Sequence, residues 1–289
     1  MSSTPAGSKL DHYFERVGYG YTGPRAPTLE ALRALMPAHV GRIPFENIDV
    51  LLGRPIELEP EALFDKLVRR KRGGYCFEQN GLFLEVLREL GFEATLLSAR
   101  VRLRHPRDFT PARTHTFLRV RLDGEDWLAD VGVGAASLTS PLRFGAVGAE
   151  EQPTLHEPRR LIEEGGRRFH QIKYGETWND VYEFTGEEMP FIDRVVASWY
   201  TSTHPSSHFK DRFMVAKALP EGRRATILDR EFTIREASGQ AMTTTIESPA
   251  LLLALPRTQF EIDGLSHADG ERLWATGSDR EAELRPTAT

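Results

Sequence analysis

Arg72-Gly73-Gly74-Tyr75-Cys76-Phe77-Glu78-Gln79-Asn80-Gly81 is the stretch from which the rest of this chain is read. It contains the one cysteine among 289 residues. Gly73 and Gly74 let the backbone turn sharply or pass close to another group. Beyond Cys76, Leu82, Phe83, Val86, Leu87 and Leu90 recur at helical spacing until Gly91. The cysteine therefore stands at a predicted helix N-terminus, where unpaired N–H groups and the helix dipole stabilise an anion. A thiol in such a place shifts toward thiolate, the nucleophilic form. The same N–H groups can face a developing oxyanion. The plainer reading of a lone cysteine is a small buried hydrophobe. A nucleophile needs a base within reach and a third group to orient that base.

Both can come from a hairpin downstream. Residues 94–103 and 116–131 read as strands, and Asp123-Gly124 is a strong hairpin signal. A two-residue turn sets Leu122 opposite Glu125 and, counting back, Phe117 opposite Asp130. Side chains alternate along a strand, so His115 shares the face of Phe117. His115 and Asp130 then become diagonal neighbours, about 7 Å apart at Cα. A four-residue turn keeps that face, and a three-residue turn flips it. Each residue also has a structural reading, His115 as a half-buried histidine and Asp130 as a turn aspartate capping Gly132. The strand at 127–131 is otherwise apolar, so a carboxylate within it needs a partner. Sequence geometry alone leaves the catalytic and structural readings evenly balanced.

Further outward, Thr28 is placed to cap a helix with Leu29, Leu32 and Leu35 that stops near Pro37. A second helix follows Pro60, carries Leu63, Phe64, Leu67 and Val68 on one face, and ends at Gly73-Gly74. More strands are expected at 161–172, folded about Gly165-Gly166, and near 180–184. From about residue 200 a loop rich in Ser, Thr, Pro and His is expected, followed by strands turning at Pro220-Glu221-Gly222. Short helical patterns occupy 248–255 and 268–275, and the tail ELRPTAT reads as frayed. The layout is helical, then β, then mixed.

Hydrophobic residues make up 40% and charged residues 27%, an ordinary globular composition. A net charge of −5 gives no basic stripe for nucleic acid. The one basic run, Arg69-Arg70-Lys71-Arg72, reads as a solvated helix end or, functionally, as a phosphate contact. A single cysteine forms no internal disulfide. The N-terminus lacks an apolar signal-peptide core, and the longest apolar run, at 250–256, is too short to span a bilayer. A cytoplasmic location and no membrane partner are expected. His204 and His208 are four apart, but Pro205 between them favours a loop over a metal pair. No metal is expected. Gly132-Val133-Gly134 begins like a dinucleotide fingerprint but lacks the third glycine and a βαβ frame. Close backbone approach to a ligand is the better reading of Gly132 and Gly134.

The stretch around Cys76 closely resembles the active-site signature of the arylamine N-acetyltransferases. Ile43-Pro44-Phe45-Glu46-Asn47-Ile48 and Tyr13-Phe14-Glu15-Arg16-Val17-Gly18 resemble two further family segments. Thr114-His115-Thr116 and Ala129-Asp130-Val131-Gly132-Val133-Gly134 fall where the family's histidine and aspartate lie. Residues 199–209 (WYTSTHPSSHF) resemble the lead into its third domain. The resemblance covers residues 12 to about 260. It implies an α+β fold of three domains: a helical bundle over 1–92, a β-barrel over 93–200 and an α/β lid over 201–289. It also implies a Cys76-His115-Asp130 triad and ping-pong transfer from acetyl-CoA, a cosubstrate, to an arylamine or arylhydrazine, with no cofactor. Carried over by position, Phe45, Phe209 and Val101 line the acceptor pocket, and Thr116 and Gly134 approach CoA. A homodimer is a further expectation. One departure is Met36-Pro37, where many members have a Leu-His pair before the next histidine, here His39. The segment 102–113, with Arg102, Arg104, Arg107 and Arg113, is more basic than an aryl pocket wall would be. Three other readings stand beside this one: an amide synthase closing a macrolactam, a thiol hydrolase on another fold, and a binding protein with an inert cysteine.

Overall fold

The computed structural model describes residues 7–20, 25–103, 105–148 and 150–283, with 277–283 described by backbone alone. Arg104 and the tail beyond Glu283 lie outside the described residues. Side-chain caps open the first helices. The Ser8 hydroxyl accepts from the Asp11 amide to start α1 (Lys9–Val17), which ends at left-handed Gly18. Thr28 caps α2 (Leu29–Arg42) by accepting from the Ala31 amide. This helix does not stop near Pro37; it continues through it to Arg42. Proline removes only one helical N–H, and Leu35, Met36, His39 and Val40 keep burying their side chains across the gap.

A short strand β1 (Phe45–Glu46) and the turns α3 (Ile48–Leu51) and α4 (Pro60–Phe64) follow. α4 runs on as a π-helical turn over Asp65–Arg69. The helix therefore ends before Gly73-Gly74, and the left-handed residue after it is Lys71 at φ 49°. The two glycines serve packing instead. A Cβ on Gly73 would lie 2.2 Å from the Pro44 carbonyl oxygen, and one on Gly74 would lie 2.6 Å from the Glu78 carboxylate. The main helix α5 (Cys76–Glu89) begins at the cysteine, as its pattern predicts, and closes before Gly91 at φ 87°.

Seven strands then form one antiparallel sheet: β2 (Glu93–Val101), β3 (His115–Leu122), β4 (Glu125–Ala129), β5 (Leu142–Arg143), β6 (Arg159–Glu164), β7 (Arg167–Tyr174) and β8 (Thr177–Phe184). Their order is β5-β4-β3-β2-β8-β7-β6. Bridges from Val147 to Leu161 and from Gln152 to Arg159 bring the chain after β5 back onto β6, so the sheet nearly closes into a barrel. Asp123 and Gly124 both have positive φ, 51° and 80°, as a two-residue I′ hairpin requires. Leu122 does pair with Glu125.

Helix α6 (Phe191–Thr203) occupies the start of the expected loop and the residues before it. Its Ser and Thr hydroxyls bond carbonyls one turn back, as Thr201 does to Ala197 and Ser202 to Ser198, so these loop-forming residues are accommodated within the helix. The second sheet contains β9 (Met214–Ala218), β10 (Arg224–Leu228), β11 (Glu231–Arg235) and β12 (Ala241–Thr245), with β1 added at its edge through Phe45–Ala216 pairing. Helices α7 (Pro249–Phe260) and α8 (His267–Glu283) extend the two short helical patterns. One apolar core runs from Tyr13 through Phe83 to Phe184, joining helices and barrel. A second gathers Ile48, Val215, Ile227 and Phe260 under the smaller sheet. The fold is α+β: helical bundle, barrel, and α/β layer. No helix among the described residues is long and apolar enough to cross a membrane.

Candidate active site

The first turn of α5 is held from several sides. The Glu78 carboxylate reaches back to the Tyr75 amide at 3.0 Å, an N-terminal capping arrangement. Lys66, brought in by the π-helical turn, binds Glu78 at 2.6 Å and Asp49 at 2.7 Å. Arg72 binds Glu46 at 2.9 Å and Asp49 at 3.1 Å. Gln79 donates to the Pro44 carbonyl at 2.6 Å and meets His39 at 2.7 Å, and His39 meets Tyr13 at 2.8 Å. The helix start is thereby tied to both its flanking segments and the helical bundle.

Cys76 is buried, and its Sγ lies 3.6 Å from the Thr114 carbonyl oxygen. His115 follows on β3 and opens the ladder opposite Ala99. Its Nε2 is 2.8 Å from Asp130 Oδ2, with both side chains nearly inaccessible. That leaves Nδ1 for the thiol. Burial pulls the imidazole toward neutrality. The Asp130 carboxylate overcomes it by charge and hydrogen bond, and Cys76 adds to the effect, so the His115 pKa is raised to about 10. His115 is therefore an imidazolium at neutral pH.

Asp130 bonds on two sides. Oδ2 meets His115, while Oδ1 accepts from the Gly132 amide at 2.9 Å. Asn80 completes the arrangement. It donates to Asp130 Oδ1 at 2.9 Å and to the Thr116 carbonyl at 2.7 Å, and it accepts from the Val131 amide at 3.0 Å. Sequence reasoning missed Asn80. The available signal was its spacing, one helical turn after Cys76 and so on the same face. Gly132 lies against the chain's own helix. A Cβ there would lie 2.7 Å from Asn80 Nδ2 and 2.9 Å from Cys76 Cα.

The other predicted residues divide. Phe45 and Phe209 face one another with centroids 6.2 Å apart, and Phe209 is 5.6 Å from the Tyr75 ring. A Cβ on Gly134, at φ 65°, would touch the Phe45 ring at 3.5 Å, so this glycine borders the same aromatic group. Val101 pairs with Tyr182, whose ring is 5.0 Å from His115, and shares the His115 face of the sheet. Thr116 requires correction. It is fully buried, points to the opposite face from His115, and its hydroxyl donates to the Leu97 carbonyl at 3.1 Å. Its side chain is not available to a CoA chain.

Of the basic residues singled out at 102–113, Arg102, Arg107 and Arg113 are committed elsewhere. Arg102 is buried against Glu183 at 2.8 Å and donates to the Pro106, Arg107 and Phe109 carbonyls, which staples the loop. Arg107 binds Asp180 at 2.7 Å, and Arg113 pairs with Glu187 at 3.6 Å. Arg69 and Arg70 pair with Glu61 and Asp65. His204 bonds Ser206 in a turn, and no group of three metal-binding side chains occurs among the described residues.

A family model described as N-acetyltransferase matches residues 28–267. An arylamine N-acetyltransferase of Escherichia coli is 39% identical over 251 residues, covering 87% of this chain and 88% of that protein. One of Mycobacterium bovis is 42% identical over 270 residues, covering 91% and 92%. The solved arylamine N-acetyltransferase of Salmonella typhimurium superposes with a TM-score of 0.87 at 37% identity, covering 93% and 98% of the two chains. That of Mycobacterium marinum, solved in complex with CoA, gives 0.86 at 38% identity over 93% and 98%.

Proposed function

This chain belongs to the arylamine N-acetyltransferase family, and from that premise we propose that it acetylates arylamines or arylhydrazines from acetyl-CoA by a ping-pong route through Cys76. The observation that carries the reading is the charged His115, bonded to buried Asp130 and set beside a thiol at a helix N-terminus. In this mechanism Asp130 orients His115 and keeps it charged, and the imidazolium holds Cys76 as thiolate. The thiolate attacks the thioester carbonyl, and the α5 N–H groups stabilise the oxyanion. CoA leaves as a thiol after taking the His115 proton, and acetyl-cysteine remains. The amine then attacks that carbonyl, His115 takes its proton, and the thiolate returns.

Phe45, Phe209 and Val101 supply the acceptor side, where an aromatic ring can stack. Gly134 borders the passage for the CoA arm, and Thr116 contributes only from behind, through Asn80. An arylamine suits the site because it is weakly basic and stays neutral at pH 7, and only the neutral amine is a nucleophile. Arg102, Arg107 and Arg113 are paired with carboxylates, which leaves the acceptor side to its aromatic residues. We place the enzyme in the cytoplasm, where reducing conditions keep its one thiol free.

The test is thiol release from acetyl-CoA, with and without an arylamine, in wild type and Cys76→Ala. A single equivalent released without amine and turnover with it, both lost in the variant, is the expected result. Continued turnover without amine would make the protein a hydrolase, and release only from long acyl donors with internal amines would make it an amide synthase.

A further inference from the structure

Three members of the basic run at 69–72 are paired with carboxylates: Arg69 with Glu61, Arg70 with Asp65, and Arg72 with Glu46 and Asp49. Lys71 is exposed and makes no ion pair among the described residues. It lines a groove of about 620 Å³ where the C-terminal ends of α1, α2 and α7 meet. Arg16 lines the same groove, with its side chain only 4% exposed. Its Nε donates to the Leu67 carbonyl at 3.2 Å, and its Nη1 stops 3.9 Å from Glu261, beyond hydrogen-bond reach. Its Nη2 is buried with no hydrogen-bond partner among the described residues. A guanidinium carries five N–H donors, and leaving a charged donor buried and unbonded is costly. Arg257 is a second exposed cation of the groove with no ion pair among the described residues. Five cationic side chains line the groove against three carboxylates, Glu15, Glu261 and Asp263. From outside, Lys217 adds a positive charge at Glu261 and Glu61 a negative one at Arg69, so the excess stays positive.

We propose that this groove binds a phosphate-bearing anion, anchored by the unbonded Nη2 of Arg16 and held by Lys71, Arg257 and Arg42 around it. The donors choose the class. They enter from four separate segments of the chain, so one ligand must present acceptors in several directions. A phosphate group offers three outward oxygens and up to two charges, whereas a carboxylate offers two oxygens and one charge. The planar fork of an arginine also matches a pair of phosphate oxygens. Water would satisfy Nη2 and leave the excess charge unmatched. The groove is partly organised in advance: the Asp263 amide donates to the Lys71 carbonyl at 3.1 Å, which ties the Lys71 turn to the segment after α7. None of the residues assigned to the active site lines it, so the anion sits apart from the carbonyl that Cys76 attacks.

Isothermal titration calorimetry of the full chain with inorganic pyrophosphate tests this, at a constant ionic strength of about 0.15 M because exposed charges are screened by salt. Saturable binding of a single equivalent is expected. Lys71→Gln and Arg257→Gln should each weaken it about tenfold, as the loss of one charge-assisted bond does. Both positions are exposed, and the melting temperature should not move. Acetate should bind at least about tenfold more weakly than pyrophosphate. The titration involves no acetyl transfer, so its outcome is separate from that of the function proposed above. Repeating it in saturating CoA distinguishes two sources of the same chemistry. Binding that persists assigns the groove to a free phosphate compound, and displacement assigns it to the phosphates of the cosubstrate. No saturable binding up to about 10 mM, weaker than any affinity of use here, overturns the proposal. So does a pyrophosphate affinity that neither Lys71→Gln nor Arg257→Gln changes, or acetate binding as tight as that of pyrophosphate.

Discussion

Two buried charge clusters meet the first turn of α5, and they are finished differently. In the first, Glu46, Asp49, Lys66, Arg72 and Glu78 satisfy one another at 2.6–3.1 Å. Every charge there has a partner of opposite sign, and nothing is left to react. In the second, Asp130 is bonded by His115, Asn80 and the Gly132 amide, and the chain of bonds ends at a thiol that donates to the Thr114 carbonyl at 3.6 Å. The closed cluster fixes where the helix starts. The open one ends at the thiol of Cys76. Burying charge therefore does two separate jobs at one helix end: shape where the network closes, and chemistry where it does not.

The comparison is tested first by opening the second cluster further. Asp130→Asn keeps the shape and removes the charge that holds His115 protonated. Acetyl transfer should fall by about 10³–10⁴ in kcat, by analogy with the loss of an orienting aspartate from other triads, while urea stability changes far less. A fall in stability with activity per folded molecule intact would erase the distinction. Lys66→Met opens the closed cluster instead. It leaves Glu78 without its cation, while Asp49 keeps Arg72, at a cost of about 3–5 kcal/mol in urea unfolding, and alkylation of Cys76 in the folded fraction should stay within a fewfold of wild type.

Gly132→Ala acts on both clusters' shared helix. Its methyl group would intrude on Cys76 Cα and Asn80. Overpacking of this kind costs about 1–3 kcal/mol, and a displaced Asp130 should lower transfer about 10²-fold. Steady-state kinetics beside a melting curve reads both. The smallest effect is in pH dependence, where the two clusters should fail at opposite ends. His115 is raised to about 10 from 6.5, so its stabilising contribution is complete below 6.5 and is lost as pH rises through about 10. Asp49 feels burial upward, yet Lys66 and Arg72 hold it down at about 2 from 3.8, so its contribution is present above 3.8 and is lost as pH falls through about 2. Cys76 alkylation should therefore change as pH rises through about 10, where His115 loses its proton. Stability at pH 3 should depend on Asp49, as Asp49→Asn reports.

What was legible in the sequence is local. The helix start at Cys76 followed from a run of apolar residues, and the His115–Asp130 pair followed from one two-residue turn, because turn length alone sets hairpin register. What was not legible depends on distant segments. Nothing near Phe45 announces that it pairs with Ala216, and nothing near Lys66 announces Glu78 and Asp49. Helix α6 was missed for a different reason: Ser202, Thr203 and Pro205 resemble a loop, and its apolar periodicity faces water, so it carries no core signature. Pro37 stayed helical because packing outweighed one absent hydrogen bond.

The contact between Gly132 and the Cys76 backbone has a consequence in time. The thiol belongs to a segment synthesised before the hairpin that supplies His115 and Asp130. Until that hairpin docks and Gly132 slides against the helix, the cysteine has neither His115 nor Asp130 beside it. Its sensitivity to a small electrophile is thus a clock for the docking of barrel on helix.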